Sequence, residues 1–132
     1  MKSGYLYIED HVLPTLFALS SEEQSKGLMH QEWPPPTMSF VYLKPSVNKF
    51  WMKNTPSPLD IVFSHQGVIN QIHHGESNST RVIGDDMMSD LIVEFPRGTI
   101  ESHNFKLGHR IGIAQPTLEE LKKIILQIRG NY

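Results

Sequence analysis

The chain of 132 residues has no cysteine, which excludes disulfides, thiol nucleophiles and thiolate metal sites but leaves the redox compartment open. A charge excess is also missing. A formal net charge of −2 supplies no field for unspecific binding to nucleic acid or to an anionic membrane. No run approaches the roughly 18 apolar residues of a membrane span. The longest, Val12 to Leu19, follows Glu9, Asp10 and His11 rather than a basic start, so it reads as a strand and not as the core of a secretion signal. Glycine-framed serine elbows, phosphate loops and metal-ligand spacings are lacking too. These absences lead to the expectation of a soluble, cytoplasmic protein with no catalytic set, no metal, no cofactor, no nucleic-acid partner and no membrane contact.

What remains is the pattern of one mainly β domain over residues 1–132, a small barrel or sandwich of short antiparallel strands. Residues 4–8 and 13–19 are rich in aromatic and aliphatic side chains and are expected to pair as a hairpin. Period-two alternation continues in Met38 to Leu43 and in Phe50 to Lys53. Residues 61–63 and 68–73 flank His65-Gln66-Gly67 as a second hairpin, and residues 81–83, 91–95 and 109–113 complete an expected eight or nine strands. Ser20 with Glu23 forms a capping box and Gly27 a stop, which predicts a short helix at about 20–28. Thr117 with Glu120, followed by Leu118, Leu121, Ile125 and Ile128 at helical spacing, predicts an amphipathic helix at about 117–129. Between them, Trp33-Pro34-Pro35-Pro36 makes a stiff connector.

The most informative stretch is Phe50-Trp51-Met52-Lys53-Asn54-Thr55, followed by Pro58-Leu59-Asp60-Ile61. If a hairpin link returns Asp60 towards Lys53, then Trp51, Lys53, Asn54 and Asp60 can form the rim of a binding site, with Trp51 as a stacking wall for a sugar or other ring. The same residues also fit a purely structural role, with Asn54 and Thr55 closing an Asx-type turn and Asp60 holding backbone N–H groups and Lys53. His73 and His74 end a strand and should point to opposite faces. One of them could still meet His65, Asp85 or Asp86. Ser77, Ser79 and Thr80 near His74 offer hydroxyls without an elbow, and Asp60, Glu94 and Glu101 offer carboxylates at separations that sequence alone does not define.

The order Glu22-Glu23-Gln24-Ser25-Lys26-Gly27-Leu28-Met29, the Met38 to Tyr42 strand, the hexapeptide with Pro58-Leu59-Asp60-Ile61, and the closing Glu94-Phe95-Pro96-Arg97-Gly98-Thr99 and Lys106 to Ile111 segments resemble the domain of unknown function 192 family. The resemblance spans about residues 12–113. It implies a compact, mostly β, barrel-like fold with one short helix near its start, and no established reaction. Gln31, Thr37, Lys26 and His109 stand where family members commonly carry arginine, glycine, arginine and an acidic residue. The terminal helix lies beyond the family-like region.

Three functional readings follow. The first is a non-catalytic binding module for a small molecule, carbohydrate or protein segment at the Trp51, Lys53, Asn54 and Asp60 rim. A hydrolase using Asp60 with His73 or His74 is the second, and an accessory protein assembling through the terminal helix is the third. Both monomer and homodimer are compatible with the pattern.

Overall fold

The computed structural model describes residues 1–130 and has seven strands and three helices. In chain order they are β1 (Lys2–Ile8), β2 (His11–Ala18), α1 (Ser21–Lys26), β3 (Met38–Val47), β4 (Leu59–His65), β5 (Val68–Gly75), β6 (Met88–Pro96), α2 (Thr99–His103), β7 (Ile111–Gln115) and α3 (Leu118–Gly130). All strands join one mainly antiparallel sheet in the order β5-β4-β6-β3-β2-β1-β7, with β2 and β3 parallel. The sheet curls until its two edges touch. Ile69 N–H donates to His109 O at 2.9 Å, and Ile111 N–H to Gly67 O at 3.0 Å.

Curling gives the sheet an inner and an outer face, and the central strands are buried on both. From Leu59 to Ser64 every β4 side chain is buried, as are Leu91 to Phe95 on β6 and Met38 to Val41 on β3. Inner-facing Val62, Val93, Phe95 and Val41 pack with Leu6, Phe17 and Ile111, and the cluster is closed by Ile100 of α2 and by Leu121 and Ile125 of α3. Outer-facing Ile61, Phe63, Ile92, Met38 and Phe40 need a second cover. Leu28, Met52 and Ile83 from the long connections supply it.

Local signals explain most elements. Ser20 and Glu23 form the reciprocal capping box of α1, each side chain accepting the other residue's N–H at 3.1 Å. Gln24 then ties this helix across β2 and β3, donating to Ala18 O and Val41 O at 3.1 Å. In the β4–β5 hairpin Gln66 and Gly67 both take positive φ, 51° and 80°, as a tight two-residue turn requires. In α3 the buried residues are Leu121 and Ile125, while Leu118 and Ile128 at the ends of the expected stripe are exposed because the curled sheet meets only the middle turns.

Two expected strands are not strands. Residues 50–53 and 81–83 meet through one bridge, Phe50 with Ile83, paired N–H to O at 2.8 Å in both directions. Alternation nevertheless survives, with Met52 buried and Trp51 and Lys53 exposed, because one side of the segment lies on the outer core. The helix α2 had no capping signal: Gly98 precedes it without a side-chain cap bond. The edge contact between β1 and β7 is close enough that a Cβ on Gly4 would run into the Gln115 carbonyl and crowd Pro116. Gly4→Ala is therefore expected to lower the urea midpoint by the equivalent of about 1–3 kcal/mol. An unchanged midpoint would show that this junction can shift freely.

Candidate functional site

The hexapeptide runs across the outer face as an irregular cover, fastened at several points. Met52 N–H donates to Ser79 O at 2.9 Å, Asn78 N–H to Thr55 O at 2.9 Å, and His30 N–H to Asn54 O at 2.8 Å. Its turn is closed by the backbone, Thr55 N–H to Met52 O at 3.0 Å, and by the Thr55 hydroxyl on Lys53 O at 3.2 Å. Asn54 contributes its left-handed φ of 55° rather than the expected Asx-type side-chain bond. Phe50 lies edge-on to Phe40, with ring centres 4.9 Å apart, and Met52 is wholly buried beside Gly75.

Lys53 and Asp60 do not pair. The hairpin that would have joined them is replaced by the partnership of β4 with β5 and β6, so Asp60 sits 1% exposed in the sheet while the Lys53 ammonium lies 5.2 Å over the Trp51 ring. Asp60 Oδ2 accepts the N–H groups of Gly98 at 2.9 Å and Ile100 at 3.1 Å, which fixes the start of α2. Its Oδ1 meets His74 Nδ1 at 2.7 Å and Arg97 Nε at 3.4 Å. Arg97, passed over in the sequence, is a structural clamp: it donates to Leu59 O at 3.2 Å, Gly75 O at 3.1 Å and Glu76 Oε1 at 3.0 Å. Its position inside the Glu94 to Thr99 motif was the available signal.

The remaining sequence candidates are dispersed. His73 shares the outer face with Phe63 and approaches Asp85 at 3.8 Å, whereas His74 lies on the Asp60 side, so the two imidazoles point apart as expected. His65 is with Asp90 at 3.3 Å, and no group of three or more ligating side chains stands together among the described residues. The Ser77 hydroxyl donates to Pro56 O and the Ser79 hydroxyl accepts Arg81 N–H, so each is engaged by a partner other than His74. Asp60 aligns with inner-facing Phe95, and Glu94 with outer-facing Ile61. The two carboxyls thus lie on opposite sides of the sheet and cannot flank one bond.

Glu94 forms the most unusual feature of the outer face. It is 4% exposed at the floor of a cavity of about 350 Å³ walled by Gly27, Phe40, Tyr42, Phe50 and Trp51, and its Oε1 has no hydrogen-bond partner among the described residues. Gly27 packs close over that oxygen, which is itself closed off from solvent. A Cβ there would stand 3.4 Å from it, and the glycine's φ of 50° keeps the chain in a conformation that disfavours one. Burial pushes the Glu94 carboxyl up to about 8, and burial followed by the Glu94 charge pushes the Tyr42 phenol above its ordinary value. At neutral pH the floor is therefore an uncharged acid. A charged residue inside the apolar run Leu91 to Phe95 was the sequence signal for it.

Of the four expected rim residues, Trp51 lines this cavity, while Lys53, Asn54 and Asp60 do not. Asp60→Ala should cost about 3–5 kcal/mol in urea denaturation, because it strips partners from two buried N–H groups and from Arg97. Exposed Lys53→Ala should stay within about 0.5 kcal/mol, and equal losses for the two would contradict these assignments. For Glu94, the unfolded chain releases the proton near 4.5 and the folded chain near 8. Its contribution to stability is whole below the lower value and is lost as pH climbs through the higher one. Wild-type unfolding free energy should accordingly fall over that window, by up to about 1 kcal/mol per pH unit, and fall less in Glu94→Gln. Parallel pH profiles would count against a buried, protonated Glu94.

The fold is shared with solved structures. A candidate transcription regulator from Sinorhizobium meliloti is 25% identical, with a TM-score of 0.78 over 86% of this chain and 95% of that one. A protein of unknown function from Novosphingobium aromaticivorans is 24% identical, with a TM-score of 0.76 over 83% of this chain and 84% of its own, and shows the fold alone. No curated protein matches the chain. Residues 7–113, which hold the capping box, the hexapeptide cover and the Glu94–Arg97 motif, match the profile of the family DUF192, described as an uncharacterised ACR, and the chain belongs to that family.

Proposed function

We propose that the protein is a non-catalytic binding module that holds a small polar molecule, or a polar group of a larger one, in the cavity floored by Glu94. One observation carries the reading: a buried carboxyl, one oxygen of which has no hydrogen-bond partner among the described residues, lines a cavity of about 350 Å³, a size within the usual range of ligand sites. Leaving such an oxygen unpaired costs stability, and a buried polar group without a partner is an exception that calls for an explanation. In this reading Trp51 is the stacking wall and Lys53 supports its ring from nearby. Asn54 sets the turn that carries them, and Asp60 holds the framework rather than the ligand.

The hydrolase reading draws on the 2.7 Å contact between Asp60 and His74. It is weaker, because Asp60 already serves two backbone N–H groups and His74 does not line the cavity floored by Glu94. The Sinorhizobium neighbour's description points to transcription, yet a net charge of −2 gives this chain no basic field for DNA. For localisation, the described residues contain no helix long and apolar enough to cross a membrane, and the cytoplasm is our assignment.

An unbiased small-molecule screen by ligand-observed NMR tests the site. Hits on the wild type should weaken by about tenfold or more in Trp51→Ala, the loss of one aromatic wall. If every hit bound Trp51→Ala and Lys53→Ala as tightly as wild type, the cavity would not be the site.

A further inference from the structure

The chemistry of the cavity wall narrows the ligand further. Besides the Glu94 floor, Ser21 and Ser25 of α1 and Tyr42 of β3 bring hydroxyls to the lining, and Trp51 brings a broad aromatic face. The cations at this cavity are Lys26 at the end of α1 and Lys49, which is engaged with Asp86 at 2.9 Å and with Gly84 O at 2.8 Å. A cationic ligand would meet two like charges. An anion would find one lysine already paired and an acid at the floor. A neutral ligand that both donates and accepts hydrogen bonds meets no such penalty.

Resting on the binding-module reading above, we propose that the cavity takes a neutral polyhydroxylated ring of monosaccharide size, stacked on Trp51 and hydrogen-bonded through its hydroxyls to Glu94. A ring of this kind has apolar C–H faces for the indole and hydroxyls at its edge, which matches a site with one aromatic wall and an acid floor. Protonated Glu94 can donate one hydrogen bond and accept others, so a ligand hydroxyl can pair with the carboxyl without a change of charge.

Proton linkage separates this ligand class from an organic cation. A neutral ring leaves the Glu94 proton in place, so its affinity should be flat from about pH 5.5 to 7.5. An ammonium would need the ionised carboxylate, and its affinity would rise by about tenfold per pH unit below the value of about 8. Tyr42, whose phenol burial pushes above its ordinary value, stays uncharged across that range, and Lys26 and Lys49 are the other charged groups of the lining.

The test is a chemical-shift and calorimetric titration of the wild type, Trp51→Ala and Glu94→Gln with neutral monosaccharides, choline and gluconate as probes. We expect one or more neutral sugars to shift resonances of residues around Trp51 and Gly27. That binding should be pH-independent below about 7.5, weakened about tenfold or more by Trp51→Ala and retained within about threefold by Glu94→Gln, whose amide keeps both donor and acceptor. Choline binding that climbs with pH and vanishes in Glu94→Gln would overturn the ligand class while leaving the cavity as the site. Gluconate binding without sugar binding would do the same. Should none of the three probe classes perturb the cavity resonances, the ligand class falls, and hits from the unbiased screen then decide whether the cavity reading falls with it. Melting temperatures of both variants within a few degrees of wild type keep the comparison on folded protein.

Discussion

The structure depends on burying β3, β6 and β4 on both faces. A curled sheet of seven strands can fill its own interior, and the inner cluster closed by α2 and α3 does so. Its outer face then still exposes Ile61, Phe63, Ile92 and Phe40, too much apolar area to leave in water. The connections must therefore act as a second layer. This explains why residues 27–37, 48–58 and 76–87 run close to the sheet without strands of their own, stitched by single backbone hydrogen bonds.

Two carboxyls on neighbouring strands show what the two-layer arrangement does to chemistry. Asp60 faces inward and is fully engaged by Gly98, Ile100, His74 and Arg97, so its burial is compensated and it organises the start of α2. Glu94 faces outward beneath the cover, where no cation and no N–H of the described residues reaches its Oε1. Desolvation acts alone there and keeps the proton on. One acid holds the fold together, and the other is held by the fold in a state that isolated sequence context would not give it.

The readable parts of the chain were those governed by neighbours in sequence. The Ser20–Glu23 capping box, the Gln66-Gly67 turn and the apolar runs of β4 and β6 act over a few residues, and the elements appear where these signals place them. Residues 50–53 misled for a physical reason: a segment lying on an apolar surface shows the same alternation as a strand, although only one bridge holds it. The expected approach of Lys53 to Asp60 failed likewise, because β4 found its partners in β5 and β6, the latter about thirty residues away. α2 went unseen since its anchor is a carboxylate from β4 and not a cap of its own.

By itself the sequence determined the class of the fold, its two capped helices and the family to which the chain belongs, because periodicity, capping and motif order are local properties. It also presented Trp51 as a side chain that structural duties explain poorly. Only the tertiary structure decided which acid lies unpaired and which is spent. Asp60 and Glu94 both stand in apolar strand runs, and their difference comes from sheet curvature and from the residues each face meets across long sequence separations. Packing, not composition, turned Glu94 into the floor of a cavity.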